Sequence, residues 1–201
     1  MTPPPNKQVL DKKKLRIEMR ALRRHLADEN PDAAIRAARR LPVSRFSRFS
    51  LVGAYCAQGS ELDPGPILQA ILELNAGHAQ AALPVALDKN SPLKFRLWRP
   101  DQPLEKDACG IPSPPASAPE VLPNLLITPL LAFDRRGGRL GQGGGHYDRT
   151  LKALRRQRPV FVLGVAFSGQ EIDEAPMDAH DQRLDAIVTE TEFIEVVKEG
   201  R

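Results

Sequence analysis

The sequence predicts an α/β protein, a three-layer sandwich in which a mostly parallel, Rossmann-like sheet is flanked by helices. Three observations support this fold class. Apolar segments of strand length alternate with segments of helical periodicity, loops rich in glycine and proline separate them, and 201 residues with 41% hydrophobic side chains suffice for one core. We therefore expect one domain over residues 1–201, with residues 1–6 as a disordered tail.

Two helices are predicted in the N-terminal part. Over residues 7–28 the apolar side chains recur every three or four positions and form one stripe, which consists of Leu15, Met19, Leu22 and Leu26. A basic row borders this stripe and consists of Lys12, Arg16, Arg20 and Arg23. It either faces a cleft or is a solvated surface. The second helix follows Asn30-Pro31-Asp32, where a capping side chain precedes a proline, and Pro42 ends it near Leu41.

Strands and a further helix alternate after residue 50. Residues 51–57 are almost all apolar, as in a strand covered on both faces, and residues 67–74 have helical periodicity. Further strands are predicted over residues 81–87, 93–98, 160–167 and 186–189. Residues 99–123 contain seven prolines and are predicted to form a long surface excursion. In a fold of this class, ligands gather at the carboxyl ends of the strands.

Residues 125–151 are the most informative part of the chain. A strand-like apolar run leads into a loop with six glycines, and a helix is predicted after the loop; the glycines are Gly137, Gly138, Gly141, Gly143, Gly144 and Gly145. Glycine permits positive φ and leaves the backbone bare, so successive N–H groups can surround an anion at a helix N-terminus. The loop lacks the Gly-Lys-Ser/Thr ending of a Walker A loop, and His146 stands where the dinucleotide fingerprint needs glycine. These residues indicate a phosphate site without naming its ligand.

Two charged residues accompany the glycine loop. Arg139 precedes the densest glycines and can reach phosphate oxygens, and Asp148 comes three residues after Gly145. A carboxylate beside a phosphate is favourable when Mg²⁺ lies between them, because Mg²⁺ prefers one or two carboxylates together with phosphate oxygens. The alternative is that Asp148 interacts only with the dipole of the helix that it begins.

Composition limits the setting and the kinds of site. The first residues lack an apolar signal region and no apolar run is long enough to cross a bilayer, so we expect a soluble, cytoplasmic protein. The two cysteines, Cys56 and Cys109, are far apart, which indicates neither a disulfide framework nor a zinc site.

The charge distribution leaves other function classes open. Residues 1–48 hold 13 Lys and Arg against 5 Asp and Glu, and this excess is compatible with a basic RNA-binding module. However, only 5% of the residues are aromatic, which is few for base stacking. A sugar-phosphate isomerase or transferase would also use a glycine-rich phosphate loop, although it would need an acid/base pair and no ATP site.

Residues 132–151 closely resemble the signature of the 5-formyltetrahydrofolate cyclo-ligase family, also called 5,10-methenyltetrahydrofolate synthetases. Four further segments are similar to motifs of that family in the same order, and together they cover nearly the whole chain. They are Lys12-Lys13-Lys14-Leu15-Arg16, Ser60-Glu61-Leu62-Asp63, Gly110-Ile111-Pro112, and His180-Asp181 with Leu184-Asp185-Ala186-Ile187-Val188-Thr189-Glu190.

The resemblance implies an enzyme that uses ATP and Mg²⁺ to convert 5-formyltetrahydrofolate into 5,10-methenyltetrahydrofolate, with release of ADP and phosphate. The formyl oxygen of an amide leaves poorly, and its phosphorylation turns it into a good leaving group. The N10 amine of the same folate can then attack the activated carbon, and proximity supplies much of the acceleration. We expect small molecules alone as partners, with no nucleic acid and no membrane, and a monomer.

The resemblance also implies the roles of individual residues. ATP binding would use two segments, namely Lys12, Lys13, Lys14, Leu15 and Arg16 from the first helix and Arg139, Leu140, Gly141, Gln142, Gly143, Gly144, Gly145, His146 and Tyr147 from the loop. Of these, Arg139 and Tyr147 would also be catalytic. Cys56 and Glu61 would bind the folate, since a carboxylate suits the amino and N3–H edge of a pterin. Asp148 and Asp185 would hold Mg²⁺.

Overall fold

The computed structural model describes residues 7–75 and 78–197, so the tail expected over residues 1–6 lies outside the described residues. This part of the chain contains four α-helices, α1 (Lys7–Glu29), α2 (Ala33–Arg40), α3 (Gly65–Leu74) and α4 (His146–Arg155). All four lie where the sequence predicts helices. Among these described helices, none is long and apolar enough to cross a membrane.

The strands of the described residues form one large sheet and two small hairpins. They are β1 (Leu51–Gly53), β2 (Gln80–Val85), β3 (Lys94–Trp98), β4 (Glu105–Lys106), β5 (Pro112–Ser113), β6 (Glu120–Val121), β7 (Leu125–Pro129), β8 (Ala132–Phe133), β9 (Arg139–Leu140), β10 (Phe161–Val165), β11 (Ala186–Val188) and β12 (Phe193–Glu195). The sheet has eight strands in the order β12-β11-β10-β7-β1-β2-β3-β6. The five strands from β11 to β2 in this order are parallel, and β12, β3 and β6 are antiparallel to their neighbours. The predicted α/β class with a mostly parallel sheet is confirmed.

The side chains of the central strands alternate between two apolar cores. In β7, Leu125 and Ile127 belong to the core shared with α2 and α3, whereas Leu126 belongs to the core shared with α4. This alternation is the two-residue period of a strand, and it makes the sheet the middle of three layers. Each fully buried side chain of this size stabilises the fold by about 1.5–3 kcal/mol.

Helix α1 packs on the β8–β9 hairpin. Its Met19 belongs to a small buried cluster with Leu131, Ala132 and Leu140. Further along the helix, Leu26 lies so close to Gly169 that a Cβ added there would come within 2.9 Å of Leu26 Cδ1. This packing places the basic face of α1 beside the loop that follows β9.

The sequence predicts a strand that leads directly into one loop with six glycines. In the structure the β8–β9 hairpin follows β7, and Gly137 and Gly138 lie in its turn. Only the glycines from Gly141 to Gly145 form the glycine loop before α4. The strands of the hairpin have two residues each and are too short to show alternation. The Asp134 carboxylate closes the turn, since it accepts hydrogen bonds from the backbone N–H groups of Arg136 and Gly138 at 2.8 and 2.9 Å.

The proline-rich segment is more ordered than the surface excursion predicted over residues 99–123. It contains the β4–β5 hairpin, and its last strand, β6, pairs with β3 at the edge of the large sheet. Proline lacks an N–H donor but is tolerated in edge strands, so its frequency hides these short elements. The antiparallel strand β12 is also absent from the prediction, and β1 is shorter than the strand predicted over residues 51–57.

Candidate active site

A cavity of about 480 Å³ lies at the carboxyl ends of β1, β2 and β7. Its wall includes α1, the loops after β1 and β2, and the glycine loop before α4. The expectation that ligands gather at this edge therefore has a structural counterpart. Every predicted residue from Arg139 to Asp148 lines this cavity, and so do Lys12, Arg16, Cys56 and Glu61.

The glycine loop forms one wall of the cavity almost without side chains. Gly143 and Gly145 have φ values of 104° and 66°, in the left-handed region that other residues rarely adopt. Gly145 is also the N-cap of α4, so the first N–H groups of the helix begin at this wall. Unpaired N–H groups at a helix N-terminus, together with the helix dipole, favour an anion at this place.

The basic row of α1 lies against the cavity loops. The Lys12 ammonium donates to one carboxylate oxygen of Asp178 at 2.7 Å and of Asp181 at 2.9 Å. Burial disfavours its charge, but the two hydrogen bonds together with the negative charges of Asp178 and Asp181 outweigh burial and raise the pKa of Lys12. Arg16 Nε donates to the Gly141 carbonyl at 3.0 Å.

The other three residues of the predicted Lys12–Arg16 segment lie away from the cavity. Lys13 and Lys14 are exposed, and Lys14 lies 3.8 Å from Glu18 one turn along the helix. Leu15 packs against the Met19 cluster. A helix turns by about 100° per residue, so a five-residue segment cannot present all its side chains to one ligand.

Arg139 and Asp148 form an ion pair at the cavity wall. Arg139 Nη2 donates to Asp148 Oδ1 at 2.6 Å, and the Gln182 backbone N–H donates to the same oxygen at 3.0 Å. The Gln182 carbonyl accepts from Arg139 Nε at 3.3 Å. One residue of the loop before β11 thus fixes both charged side chains beside the glycine loop.

Asp185 lies at the amino edge of the sheet, whereas Asp148 lies at the carboxyl edge, beside the cavity. It directly precedes β11, and its Oδ2 accepts from the Val162 backbone N–H at 2.9 Å and from Arg155 Nη2 at 3.4 Å. The depression that it lines also includes Arg136, Arg158 and Arg183. Asp148 lines the cavity and Asp185 does not, so the structure does not bring the two aspartates to one ion.

Glu61 lies on the other side of the cavity from the glycine loop. Its Oε2 accepts from the Gln58 backbone N–H at 3.0 Å, and its Oε1 lies 3.5 Å from Arg23 Nη1. Tyr147, at the start of α4, and Cys56 line the same cavity. Burial, reinforced by the negative charge of Glu61, raises the pKa of Tyr147, so its phenol stays protonated and can donate a hydrogen bond at neutral pH.

Several cavity residues are absent from the sequence prediction. The main ones are Tyr55, Gln58, Asp107, Ile111, Asp178 and Asp181. Asp107 lies in the proline-rich segment and orders it, since its carboxylate accepts from the backbone N–H groups of Ala86 and Ile111 at 2.9 and 3.0 Å. Ile111 and Asp181 belong to the family-like motifs quoted above, and these motifs could have identified them as cavity residues. Asp107 and Asp178 lie outside these motifs.

Fold and site together define an α/β domain with a ligand cavity at the carboxyl edge of its sheet and a glycine-rich wall beside basic side chains. The sequence profile described as the 5-formyltetrahydrofolate cyclo-ligase family matches residues 8–190. The chain belongs to this family, and the resemblance noted from its motifs is confirmed.

Individual relatives agree with this assignment. The 5-formyltetrahydrofolate cyclo-ligase of Escherichia coli K12 is 34% identical over 143 residues, which are 69% of this chain and 76% of that protein. The protein of the same name from Haemophilus influenzae is 38% identical over 96 residues, 46% of this chain and about half (51%) of that protein. The NMR structure of Aquifex aeolicus 5,10-methenyltetrahydrofolate synthetase, with 27% identity, covers 94% of both chains with a TM-score of 0.70.

Proposed function

We propose that this protein catalyses the ATP- and Mg²⁺-dependent cyclisation of 5-formyltetrahydrofolate to 5,10-methenyltetrahydrofolate, with release of ADP and phosphate. One observation carries the proposal: a single cavity is lined both by the glycine loop with Lys12, Arg16 and Arg139 and by the Glu61 carboxylate. The reaction needs a triphosphate and a pterin side by side. Membership of the cyclo-ligase family supports this choice of reaction.

The triphosphate would lie on the glycine-loop side. The N–H groups at the start of α4 and the side chains of Lys12 and Arg16 supply positive potential there. Lys12 is held by Asp178 and Asp181, which keep its ammonium at the cavity wall. Phosphoryl transfer requires mainly positioning and charge stabilisation, and these groups are suited to both.

The folate would lie on the Glu61 side. A carboxylate that accepts two hydrogen bonds matches the amino and N3–H edge of a pterin, and Cys56 lies beside it at the cavity wall. Tyr147 lies between the two sides, and its protonated phenol can donate to an oxygen of either substrate. We propose Tyr147 and Arg139 as catalytic residues and Cys56 and Glu61 as folate contacts.

The chemical steps follow from this alignment. The formyl oxygen attacks the γ-phosphorus and ADP departs, which leaves an iminium phosphate on N5. N10 then attacks the formyl carbon, the C–O bond breaks, and phosphate departs with the oxygen and the N10 proton. Arg139 would stabilise the charge on the transferred phosphoryl group. No covalent intermediate with the protein is required.

The donor set at the cavity fits Mg²⁺ that arrives with ATP. Among the described residues, no three His, Cys, Asp or Glu side chains are grouped closely enough to hold a metal by themselves. Asp148 nevertheless presents a carboxylate at the glycine loop, and Mg²⁺ commonly uses one carboxylate with phosphate oxygens and water. When bound, Mg²⁺ would neutralise phosphate charge. We propose Asp148, and not Asp185, as its ligand.

The basic row of α1 favours small-molecule partners over RNA. Lys12, Arg16 and Arg20 hydrogen-bond to loops around the cavity, and the Arg23 side chain is buried. A surface that binds RNA presents such groups to solvent. We therefore keep ATP and the folate as the proposed partners. That the protein is a cytoplasmic monomer remains a separate proposal.

The test is a direct assay with purified protein, 5-formyltetrahydrofolate, ATP and Mg²⁺. We expect methenyltetrahydrofolate absorbance to develop with one ADP per product, and no product when ATP is omitted. A protein that is folded by circular dichroism and forms no product at any ratio of the three components would contradict the proposal.

A further inference from the structure

Arg23 is the one member of the basic row that contacts the Glu61 loop. Its Nε donates to Ser60 Oγ at 3.1 Å, and its Nη1 lies 3.5 Å from Glu61 Oε1. Both side chains of this ion pair are buried, with 7% of the Arg23 side chain and 9% of the Glu61 side chain exposed. Arg23 therefore lies behind the carboxylate proposed to hold the pterin.

The neighbouring arginines of α1 have different partners. Arg16 contacts the Gly141 carbonyl, and Arg20 contacts the side chain of Gln142 at 2.8 Å, both on the glycine-loop side. Two helical turns thus span the cavity from its glycine loop to the Ser60–Glu61 loop. Arg23 supplies the contact at the far end.

The Glu61 carboxylate is held by both oxygens. Oε2 accepts from the Gln58 N–H, and Oε1 faces the Arg23 guanidinium. The Gln58 contact comes from the backbone of the same loop, so Arg23 is the side chain that ties this carboxylate to another element. Without the Arg23 side chain, Glu61 could adopt other rotamers. Folate binding would then have to order the Glu61 side chain, and this loss of entropy would weaken the affinity for the folate.

Burial of the Arg23 guanidinium costs desolvation free energy, and a functional role of Arg23 would explain why a charged residue is placed there. Desolvation lowers the pKa of Arg23, and the Glu61 charge opposes this effect only in part. Arg23 does not appear among the residues that line the cavity, so it acts through another residue.

We propose that Arg23 is a positioning residue that fixes the Glu61 carboxylate for the folate and so sets the folate affinity from α1. This inference rests on the function proposed above. It concerns one substrate only, because Arg23 hydrogen-bonds to Ser60 and Glu61, on the side of the cavity proposed for the folate. The affinity for ATP should therefore be insensitive to Arg23.

The experiment compares Arg23→Met with Arg24→Met as the matched control. Arg24 is the next residue of the same helix and is exposed, so its replacement removes the same charge without touching Glu61. For Arg23→Met we expect the KM for 5-formyltetrahydrofolate to rise about tenfold, as for loss of one charged hydrogen bond, with kcat and the KM for ATP within about twofold. Arg23→Lys should recover part of the affinity, and Arg24→Met should resemble the wild type.

A double-mutant cycle with Glu61→Gln separates positioning from a structural role. If Arg23 acts through Glu61, adding Arg23→Met to Glu61→Gln should raise the folate KM by less than about twofold more. Additive effects, or equal rises in both KM values with a lower Tm, would overturn the positioning role. Binding of 5-formyltetrahydrofolate by calorimetry gives a readout that does not require turnover.

The same measurements distinguish this inference from the function on which it rests. A wild-type protein that neither binds nor converts 5-formyltetrahydrofolate overturns both. A wild-type protein that converts it, together with an Arg23→Met variant of unchanged folate KM, overturns only the role of Arg23.

Discussion

The two edges of the sheet each carry an aspartate paired with an arginine, and the two pairs differ in what surrounds them. At the carboxyl edge Asp148 pairs with Arg139 at 2.6 Å, and both side chains line the cavity. At the amino edge Asp185 pairs with Arg155 at 3.4 Å and also accepts the Val162 N–H of β10. The same two residue types thus line a cavity at one edge and contact a strand at the other.

The difference indicates that the edge of the sheet on which a motif residue lies decides whether it can reach a ligand in the cavity. Asp148 begins a helix next to a bare backbone loop, where an anion and its cation can approach. Asp185 precedes a parallel strand, and its carboxylate joins β10, β11 and the end of α4. Its hydrogen bonds connect these elements to one another, and it lies outside the cavity proposed for the nucleotide.

Replacing each aspartate with asparagine is the most direct test of this difference between Asp148 and Asp185. For Asp148→Asn we expect the Mg²⁺ concentration at half-maximal activity to rise about 10- to 100-fold, with folate binding largely intact. For Asp185→Asn we expect an unchanged Mg²⁺ requirement and a free energy of unfolding lower by about 1–3 kcal/mol, because a buried charged hydrogen bond is weakened. Magnesium titrations of activity and urea denaturation measure the two effects. An equal shift of the Mg²⁺ requirement in both variants would make Asp185 a metal ligand.

Alanine at two glycines with positive φ sharpens the comparison further. Gly137 has a φ of 80°, and a Cβ there would lie 2.7 Å from the Leu184 backbone oxygen, which cannot move aside. Gly137→Ala should therefore lower the free energy of unfolding by about 2–4 kcal/mol and leave the KM for ATP near the wild-type value. At Gly145, with φ of 66°, the nearest atom is the flexible Arg149 Nη1 at 2.7 Å.

Gly145→Ala should lose only about 1–2 kcal/mol of stability, since the side chain of Arg149 can shift. Its KM for ATP should rise several-fold, because the methyl group enters the wall proposed for the phosphates. Chemical denaturation and initial rates at varied ATP check both variants. Gly137 lies beside Leu184, just before β11 at the amino edge, whereas Gly145 lies in the cavity wall at the carboxyl edge. If Gly137→Ala impaired ATP binding more than Gly145→Ala did, the proposed location of the ATP site at the carboxyl edge would be wrong.

The sequence predicts elements and motifs well where periodicity or spacing is strong, as in α1, α4 and the glycine loop. Asp185 comes at the entry of the last predicted strand and not at its exit, and its assignment to Mg²⁺ came from the family resemblance alone. The observed strand order and direction then put it at the amino edge. Helical periodicity already separates Lys13 and Lys14 from the row that contains Lys12 and Arg16, and they were included only because the family motif is contiguous. Asp107 and Asp178 reach the cavity through irregular loops, whose course no local pattern determines.

The smallest expected effect is on the pH dependence of stability, in which the ion pairs at the two edges of the sheet should differ. The folded-state pKa of Lys12 lies above its ordinary value of 10.5, so its ion pairs with Asp178 and Asp181 stabilise the fold fully below that pH. This contribution should disappear as the pH rises through the higher folded-state pKa. The Arg155–Asp185 pair at the amino edge should persist there, since a guanidinium remains charged. Urea denaturation of the wild type and Lys12→Met between about pH 9 and 11.5 should show a stability difference that shrinks with pH. A constant difference would mean that Lys12 stabilises the cavity wall by packing and not by its charge.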